Sequence, residues 1–195
     1  MPTFEEITRH HDVDPDEDPW VNGPPPPERV TIVEYDPDWP RRYAALAADI
    51  RAALGDTVVA IEHVGSTSVE GLAAKDVIDI NLTVADPRDE DRYVPPLVAL
   101  GYALTIREPS FHQHRCLRHD DPRVNLHVHG PDSPEPVRNR MFRDWLRAHP
   151  DDLRYYEDTK RSAIPGGGNV MDYNARKQDV IRDIYDRLFR AAGMK

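Results

Sequence analysis

The alternation of side chains along residues 77–84 (VIDINLTV) constrains the fold of this chain more than any other feature. Successive side chains of a strand point to opposite faces, so the aliphatic residues at every second position must enter a core. Asp79 and Asn81 then project together from the other face. A carboxylate in so apolar a strand is costly unless it faces a solvated cleft or a metal. The pattern predicts a buried strand that carries a polar site on one side.

A turn of small residues precedes this strand at residues 65–68 (GSTS). Gly65 allows a ligand to approach the backbone closely, and the hydroxyls of Ser66 and Thr67, with exposed amides, can bind phosphate oxygens. Taken alone, the turn suits an ordinary serine-rich loop, and the aspartate an ordinary strand residue. Their combination favours a phosphate-binding site.

Basic residues near such a site would offset the charge of an anionic ligand. Lys75 lies in the loop that leads directly into the 77–84 strand, and Arg115 lies further along the chain. We therefore expect both to contribute to phosphate binding, together with the 65–67 corner.

Residues 124–129 (VNLHVH) repeat the alternating pattern. Asn125, His127 and His129 share one face of the predicted strand, and they share the cleft of Asp79 if the two strands are neighbours. Imidazole nitrogens at this spacing can bind a metal. Paired histidines are also common on the polar face of a strand, and that alternative stays open.

The order of predicted elements indicates an α+β protein with one mixed sheet flanked by helices and a helical C-terminal part from about residue 134. Strands are predicted at 30–35, 58–64, 77–84, 102–108, 112–119 and 124–129, and helices at 41–55, 88–101, 134–148, 151–163 and 172–192.

The length of 195 residues suits one domain, which we place at 29–195. Residues 1–28 combine acidic stretches with a proline run, a composition typical of a disordered tail. The net charge of −10 argues against broad nucleic-acid binding but permits a nucleotide or another phosphorylated small molecule as ligand.

The sequence has no apolar run long enough to span a membrane. A single cysteine and an N-terminus without a secretory signal favour the cytoplasm. A homodimer stays open as an alternative to a monomer.

Four separated motifs, in order, resemble the GrpB (UPF0157) family. They are YDPDWPRRY, HVGSTSVEGLAAKDVIDI, VNLHVH and FRDWLRAHP, and the resemblance runs from about Val30 to the C-terminal helix. That family is similar to the nucleotidyltransferase superfamily, in which a Gly-Ser corner precedes an Asp-x-Asp/Glu strand and a neighbouring strand supplies a third carboxylate. The resemblance therefore implies a nucleotidyltransferase-like fold.

The same resemblance implies roles for individual residues. Gly65 and Ser66 fall at the corner that contacts the triphosphate, and Asp79 falls at the first carboxylate. Asn81 falls at the second carboxylate, and His127, or else Asn125, near the third. Asp79, Asn81 and His127 are thus the implied catalytic and metal-binding residues, with Mg²⁺ as the implied metal and Mn²⁺ or Zn²⁺ as alternatives.

This chain departs from the superfamily pattern at two of the three metal positions. Magnesium prefers carboxylate oxygens, whereas Asn81 is a neutral amide and His127 an imidazole. Metal-dependent transfer of a nucleotidyl group from a nucleoside triphosphate to an acceptor is the first hypothesis. The alternative is an accessory domain that binds a nucleotide or phosphometabolite without catalysis, as family members fused to dephospho-CoA kinase suggest. Metal-dependent hydrolysis by His127 and His129 is a third.

Overall fold

A computed structural model describes residues 1–11, 14, 16–26, 30–163 and 170–195, with the backbone alone for 170–176. The helices and strands, in chain order, are α1 (Phe4–Thr8), α2 (Trp39–Leu54), β1 (Ala60–Val64), β2 (Ile78–Thr83), α3 (Val94–Ala99), β3 (Ala103–Glu108), β4 (His114–Asp120), β5 (Arg123–His129), α4 (Glu135–Ala148), α5 (Pro150–Ser162) and α6 (Val170–Ala191).

One five-stranded sheet organises the protein, in the order β1-β2-β5-β4-β3. β2 and β5 run parallel, and every other neighbouring pair runs antiparallel. The register sets Asp79 beside Asn125 and Asn81 beside His127. The predicted α+β class with a mixed sheet is confirmed, and β2 and β5 are neighbours.

The apolar face of the sheet packs against α2 and α3. Ile80 and Leu82 of β2 and Leu126 of β5 are fully buried there, in one cluster with Trp39 and Ile50 of α2. Burying side chains of this kind contributes about 1.5–3 kcal/mol each, so this layer supplies much of the stability. The predicted alternation along β2 and β5 is confirmed by this burial.

The helical C-terminal part covers part of the opposite, polar face. Val69 and Leu72, which follow the small-residue corner, pack against Leu146 of α4 and Tyr156 of α5. Arg143 of α4 also donates a hydrogen bond of 2.9 Å to the carbonyl of His63. These contacts hold the helices against the β1 side of the sheet and leave a cleft over β2 and β5.

Two segments differ from their predicted structure. Residues 30–35 form no strand, and Val33 makes only an isolated bridge to Ala74. Ala74 itself lies in a loop, so no ladder can extend from the bridge. The predicted helix at 88–101 is reduced to α3, which begins at Val94 because the two following prolines fit only the first turn of a helix.

The described part of the predicted disordered tail packs on the domain. A capping box between Thr3 and Glu6 begins α1, and Ile7 is buried beside Phe189 of α6. Trp20 forms a bridge with Ile106 on the edge strand β3. Composition alone did not reveal these anchors, because they depend on contacts with distant segments, such as the hydrogen bond that Arg138 donates to the carbonyl of Arg9. The predicted boundary at 28/29 lies outside the described residues.

None of the helices in the described part of the chain has the length and apolar character that a membrane span needs.

Candidate functional site

A cleft of about 410 Å³ lies between the polar face of the sheet and the C-terminal helices. Its polar lining includes Ser66, Asp79 and His127 from the sheet and the corner, and Asn139, Tyr156 and Lys177 from the helices. Predicted site residues and residues that sequence reasoning missed thus meet in one place.

The small-residue corner lies directly against Asp79. Gly65 has a φ of 68°, and a Cβ built on it would lie 2.9 Å from the Asp79 Cβ and closer still to Oδ2. Both the backbone conformation and the close approach therefore require glycine. The Asp79 carboxylate, with 29% of its side chain exposed, is consequently held beside the backbone of the corner.

Thr67 acts as a brace within the corner. Its hydroxyl donates to the carbonyl of Val77 at 3.1 Å and lies 3.1 Å from Nε2 of His63. Because the hydroxyl proton is used toward Val77, Nε2 of His63 is the donor in the second contact. The side chain predicted to bind phosphate is only 1% exposed and already has both partners. This leaves Ser66 and the backbone to face the cleft.

Cationic and hydroxyl groups from the helices face the same corner. Burial raises the pKa of Tyr156 to about 12, and hydrogen bonding with the Ser66 side chain opposes that rise. Burial lowers the pKa of Lys177, and the nearby Asp79 carboxylate opposes that shift. Lys75 also lines the cleft, as predicted from its position before β2. The corner therefore lies among groups able to bind an anion.

Asn81 lies beneath the cleft and is 2% exposed. Its Oδ1 accepts a hydrogen bond of 3.4 Å from Asn139, while its buried Nδ2 has no hydrogen-bond partner among the described residues. Its neighbour Asp79 accepts a hydrogen bond of 2.8 Å from Asn125 through Oδ1. The pair predicted as metal ligands is thus already hydrogen-bonded to protein amides.

Three histidines line the β5 side of the cleft. His127, predicted as a site residue, lies 3.1 Å from His114 and 4.0 Å from Asp79. His129 is 3% exposed, and neither of its ring nitrogens has a partner in the described structure. Burial is the main cause of the lowered pKa of His129, and the neighbouring imidazoles lower it further.

The donor set does not fit the implied pair of magnesium ions. Within the described residues, no three His, Cys, Asp or Glu side chains are grouped to hold a metal ion. Asp79 is the one carboxylate that β2 offers, because the second position is the buried amide of Asn81. Asp79, Asn81 and His127 therefore do not form a ligand set that fits two magnesium ions.

Arg115 lies outside the cleft, contrary to its predicted role. It pairs in register with Val128, a core residue, so its side chain leaves the sheet on the apolar face. There its Nε donates to Glu90 at 2.7 Å. Neighbouring residues of a strand point to opposite faces, so a difference of one position along β4 decides whether a side chain faces the site. The sequence alone does not show which residues of 112–119 face the site.

Three residues that line the cleft were not predicted from the sequence as residues of this site, namely His114, Asn139 and Tyr156. His114 lies two residues before Cys116 on β4, so both side chains are on the same face of the sheet, and Cys116 pairs with His127. This alternation would have predicted His114 as a site residue if the pairing of β4 with β5 had been known.

The fold and the cleft together define a class, an α+β protein with a mixed five-stranded sheet and a polar cleft closed by C-terminal helices. The family model of the GrpB protein matches residues 29–187. The UPF0157 protein BH1888 of Halalkalibacterium halodurans is 43% identical over 159 residues, which cover 81% of this chain and 82% of that protein. The chain belongs to the GrpB family.

Two further similarities extend the comparison. The crystal structure of the conserved protein GrpB from Enterococcus faecalis has a TM-score of 0.66 and 25% identity, and the match covers 80% of this chain and 98% of that one. A dephospho-CoA kinase of Mycolicibacterium paratuberculosis is 32% identical over 185 residues, which cover 81% of this chain but 46% of the kinase. The domain therefore also occurs as part of longer proteins.

Proposed function

We propose that the protein binds a nucleotide or another phosphorylated small molecule in the cleft, with the phosphates at the corner formed by Gly65 and Ser66. The observation that carries this proposal is the convergence of the glycine corner with Lys75, Tyr156 and Lys177 in one cavity. Backbone amides and lysines are the groups that bind phosphate oxygens in proteins.

Two lysines of the cleft lining, Lys75 and Lys177, favour such a ligand over an uncharged one, and two acidic residues, Asp79 and Glu135, also line the cleft. Lys177 is half-buried, and its partial burial lowers the pKa of the ammonium, so a nearby negative charge stabilises its charged form. Asp79 supplies one such charge. A phosphate group would supply more, and the cavity of about 410 Å³ is of the size found for small-ligand sites.

Nucleotidyl transfer to an acceptor is the second candidate function. It is favoured by the position of the Asp79 carboxylate, which lies next to the corner and reaches the cleft. The donor set makes a two-magnesium mechanism a poor fit, so binding is the better supported function of the two. A cytoplasmic location and a homodimer stay predictions.

Thermal unfolding in the presence of ATP, CTP, GTP and UTP tests the proposal. A ligand present at one hundred times its Kd stabilises the native state by about 2.7 kcal/mol, which raises Tm by several degrees. We expect at least one nucleotide to do so in a concentration-dependent manner without Mg²⁺. If no nucleotide or sugar phosphate shifts Tm at millimolar concentration, the proposal is wrong.

Repeating the titration with Mg²⁺ separates the two candidate functions. Binding alone predicts stabilisation that changes little with Mg²⁺ and no release of pyrophosphate with any acceptor. Nucleotidyl transfer predicts the release of pyrophosphate. The two-metal hypothesis would be restored if stabilisation by the nucleotide required Mg²⁺ and was lost in Asp79→Ala.

A further inference from the structure

A chain of hydrogen bonds crosses the floor of the cleft from Glu108 to His127. Oε2 of Glu108 lies 2.6 Å from Nδ1 of His114, and Nε2 of His114 lies 3.1 Å from Nδ1 of His127. The two imidazole planes differ by only 22°, and their centroids are 5.3 Å apart. With nitrogen atoms in hydrogen-bond contact, this geometry means that the rings meet edge to edge rather than face to face.

The direction of each hydrogen bond follows from the carboxylate. An ionised carboxylate only accepts, so Nδ1 of His114 carries the proton toward Glu108. A neutral His114 then has a bare Nε2, which must accept from Nδ1–H of His127. Nε2 of His127 is left without a proton, and this atom faces the cleft beside Asp79.

The gap between His127 and Asp79 suits an oxygen nucleophile. Nε2 of His127 lies 4.0 Å from Oδ1 of Asp79, and both atoms are acceptors. A water oxygen between them can lie within ~2.8 Å of each, the usual O–H hydrogen-bond length, and donate one proton to each, whereas a hydroxyl donates its single proton to one of them. The pair is therefore placed to hold and orient an O–H group close to the phosphate corner.

We infer that Glu108, His114 and His127 form a proton relay in which Nε2 of His127 is the general base for water or an acceptor hydroxyl. This inference rests on the proposed function, because it needs a phosphoanhydride bound at the corner. The O–H bond breaks as its proton moves to Nε2 and the oxygen bonds to phosphorus. The P–O anhydride bond breaks, and the departing phosphate or pyrophosphate takes the electron pair.

The relay disperses the positive charge that this step creates. His127 can pass its Nδ1 proton to Nε2 of His114, which becomes an imidazolium paired with the Glu108 carboxylate. His127 is thus the catalytic residue, and His114 and Glu108 position it. General bases contribute roughly 10²–10⁴-fold to a rate, which sets the expected effect of removing His127.

Long-range ¹H–¹⁵N NMR of the full-length protein labelled in histidine tests the arrangement without any ligand. At neutral pH we expect His127 and His114 both as the Nδ1–H tautomer, with a downfield Nδ1 proton on His114. In Glu108→Gln this downfield proton should be lost, whereas the surface control Glu5→Gln should leave it unchanged. A His127 that carries its proton on Nε2 would overturn the inference.

Turnover with ATP, CTP, GTP and UTP, with water as the acceptor, provides the second test. We expect release of phosphate or pyrophosphate to fall at least 100-fold in His127→Gln and about tenfold in Glu108→Gln, with the nucleotide-induced shift of Tm retained. The rate in Glu108→Gln should also have an altered pH profile, which a purely structural role would not produce. Nucleotide binding without turnover, or with equal rates in these variants, overturns the relay and leaves the proposed function intact. Absence of binding rejects the proposed function itself.

Discussion

Gly65 lies so close to Asp79 that the side chain of any other residue would collide with the carboxylate, since even a Cβ would lie 2.9 Å from the Asp79 Cβ. The corner and the β2 strand are therefore one structural unit. Neither the turn nor the carboxylate can be changed without moving the other. This explains why the two sequence features that first indicated a site occur together.

Gly65→Ala should reduce both stability and ligand binding. The positive φ and the collision with Asp79 should together cost about 1–3 kcal/mol of unfolding free energy. Urea unfolding measures that loss, and the nucleotide-induced shift of Tm should disappear. Gly71→Ala is the matched control, because Gly71 has a φ of 77° but nothing within 4 Å of a built Cβ. Equal effects of the two substitutions would contradict the close approach as the cause.

Lys177→Met should weaken nucleotide binding by about tenfold. The substitution removes a half-buried positive charge that lines the cleft, and a tenfold change in Kd corresponds to roughly 1.4 kcal/mol. Calorimetric titration measures the change. Lys195→Met, which removes a lysine paired with Asp186 away from the cleft, should leave Kd unchanged. A Kd in Lys177→Met equal to that of the unsubstituted protein would exclude Lys177 from the site.

Stability should fall as the pH decreases from 6.5 to 4 because of His63. Burial lowers the pKa of His63 from 6.5 to about 4, so between these values the unfolded state binds a proton that the native state does not. The free energy of unfolding that neutral His63 contributes above pH 6.5 is consequently lost on acidification. For one histidine with these two pKa values, the loss at pH 5 is about 2 kcal/mol.

Urea unfolding at pH 7.5 and pH 5 checks this pH dependence. His63→Gln should show a smaller loss between the two values, because one of the buried histidines no longer titrates. His127, with a pKa lowered to about 4, should still contribute in that variant. An identical pH dependence in both proteins would mean that His63 is not held neutral in the native state.

Asn81→Asp should create a dependence on magnesium. A second carboxylate beside Asp79, in a position that is 2% exposed, should destabilise the metal-free protein by about 1–3 kcal/mol through burial and repulsion. Mg²⁺ should restore Tm in this variant and change it little in the unsubstituted protein. Asn139→Asp, a change of the same kind at a position on α4 that also lines the cleft, is the control. Equal responses to Mg²⁺ in all three proteins would contradict the reading of Asn81 as the missing carboxylate.

Sequence alone predicted β2 and β5 well, for a physical reason. Each strand alternates with period two between a buried aliphatic face and a polar face, and few secondary structures other than a half-buried strand produce that pattern. The motifs placed Gly65, Ser66 and Asp79 correctly in relation to one another, because the residues are near in sequence and the corner is local.

The remaining parts of the site depend on contacts between distant segments. Lys177 reaches the cleft only because α6 packs against α4 and α5, and His114 joins His127 only because β4 pairs with β5 in one register. Arg115, one residue further, consequently faces the opposite side. Register and helix packing are not encoded in any single motif, so local reasoning could not choose between these two residues.

Chemical-shift mapping with a nucleoside triphosphate tests the central claim most directly. Titration of ¹⁵N-labelled protein should perturb the amides of Gly65, Ser66 and Thr67 together with those of Asp79 and Tyr156, and these changes should saturate with one Kd. Perturbations confined to other surfaces, or none up to millimolar nucleotide, would contradict a phosphate-binding cleft at this corner.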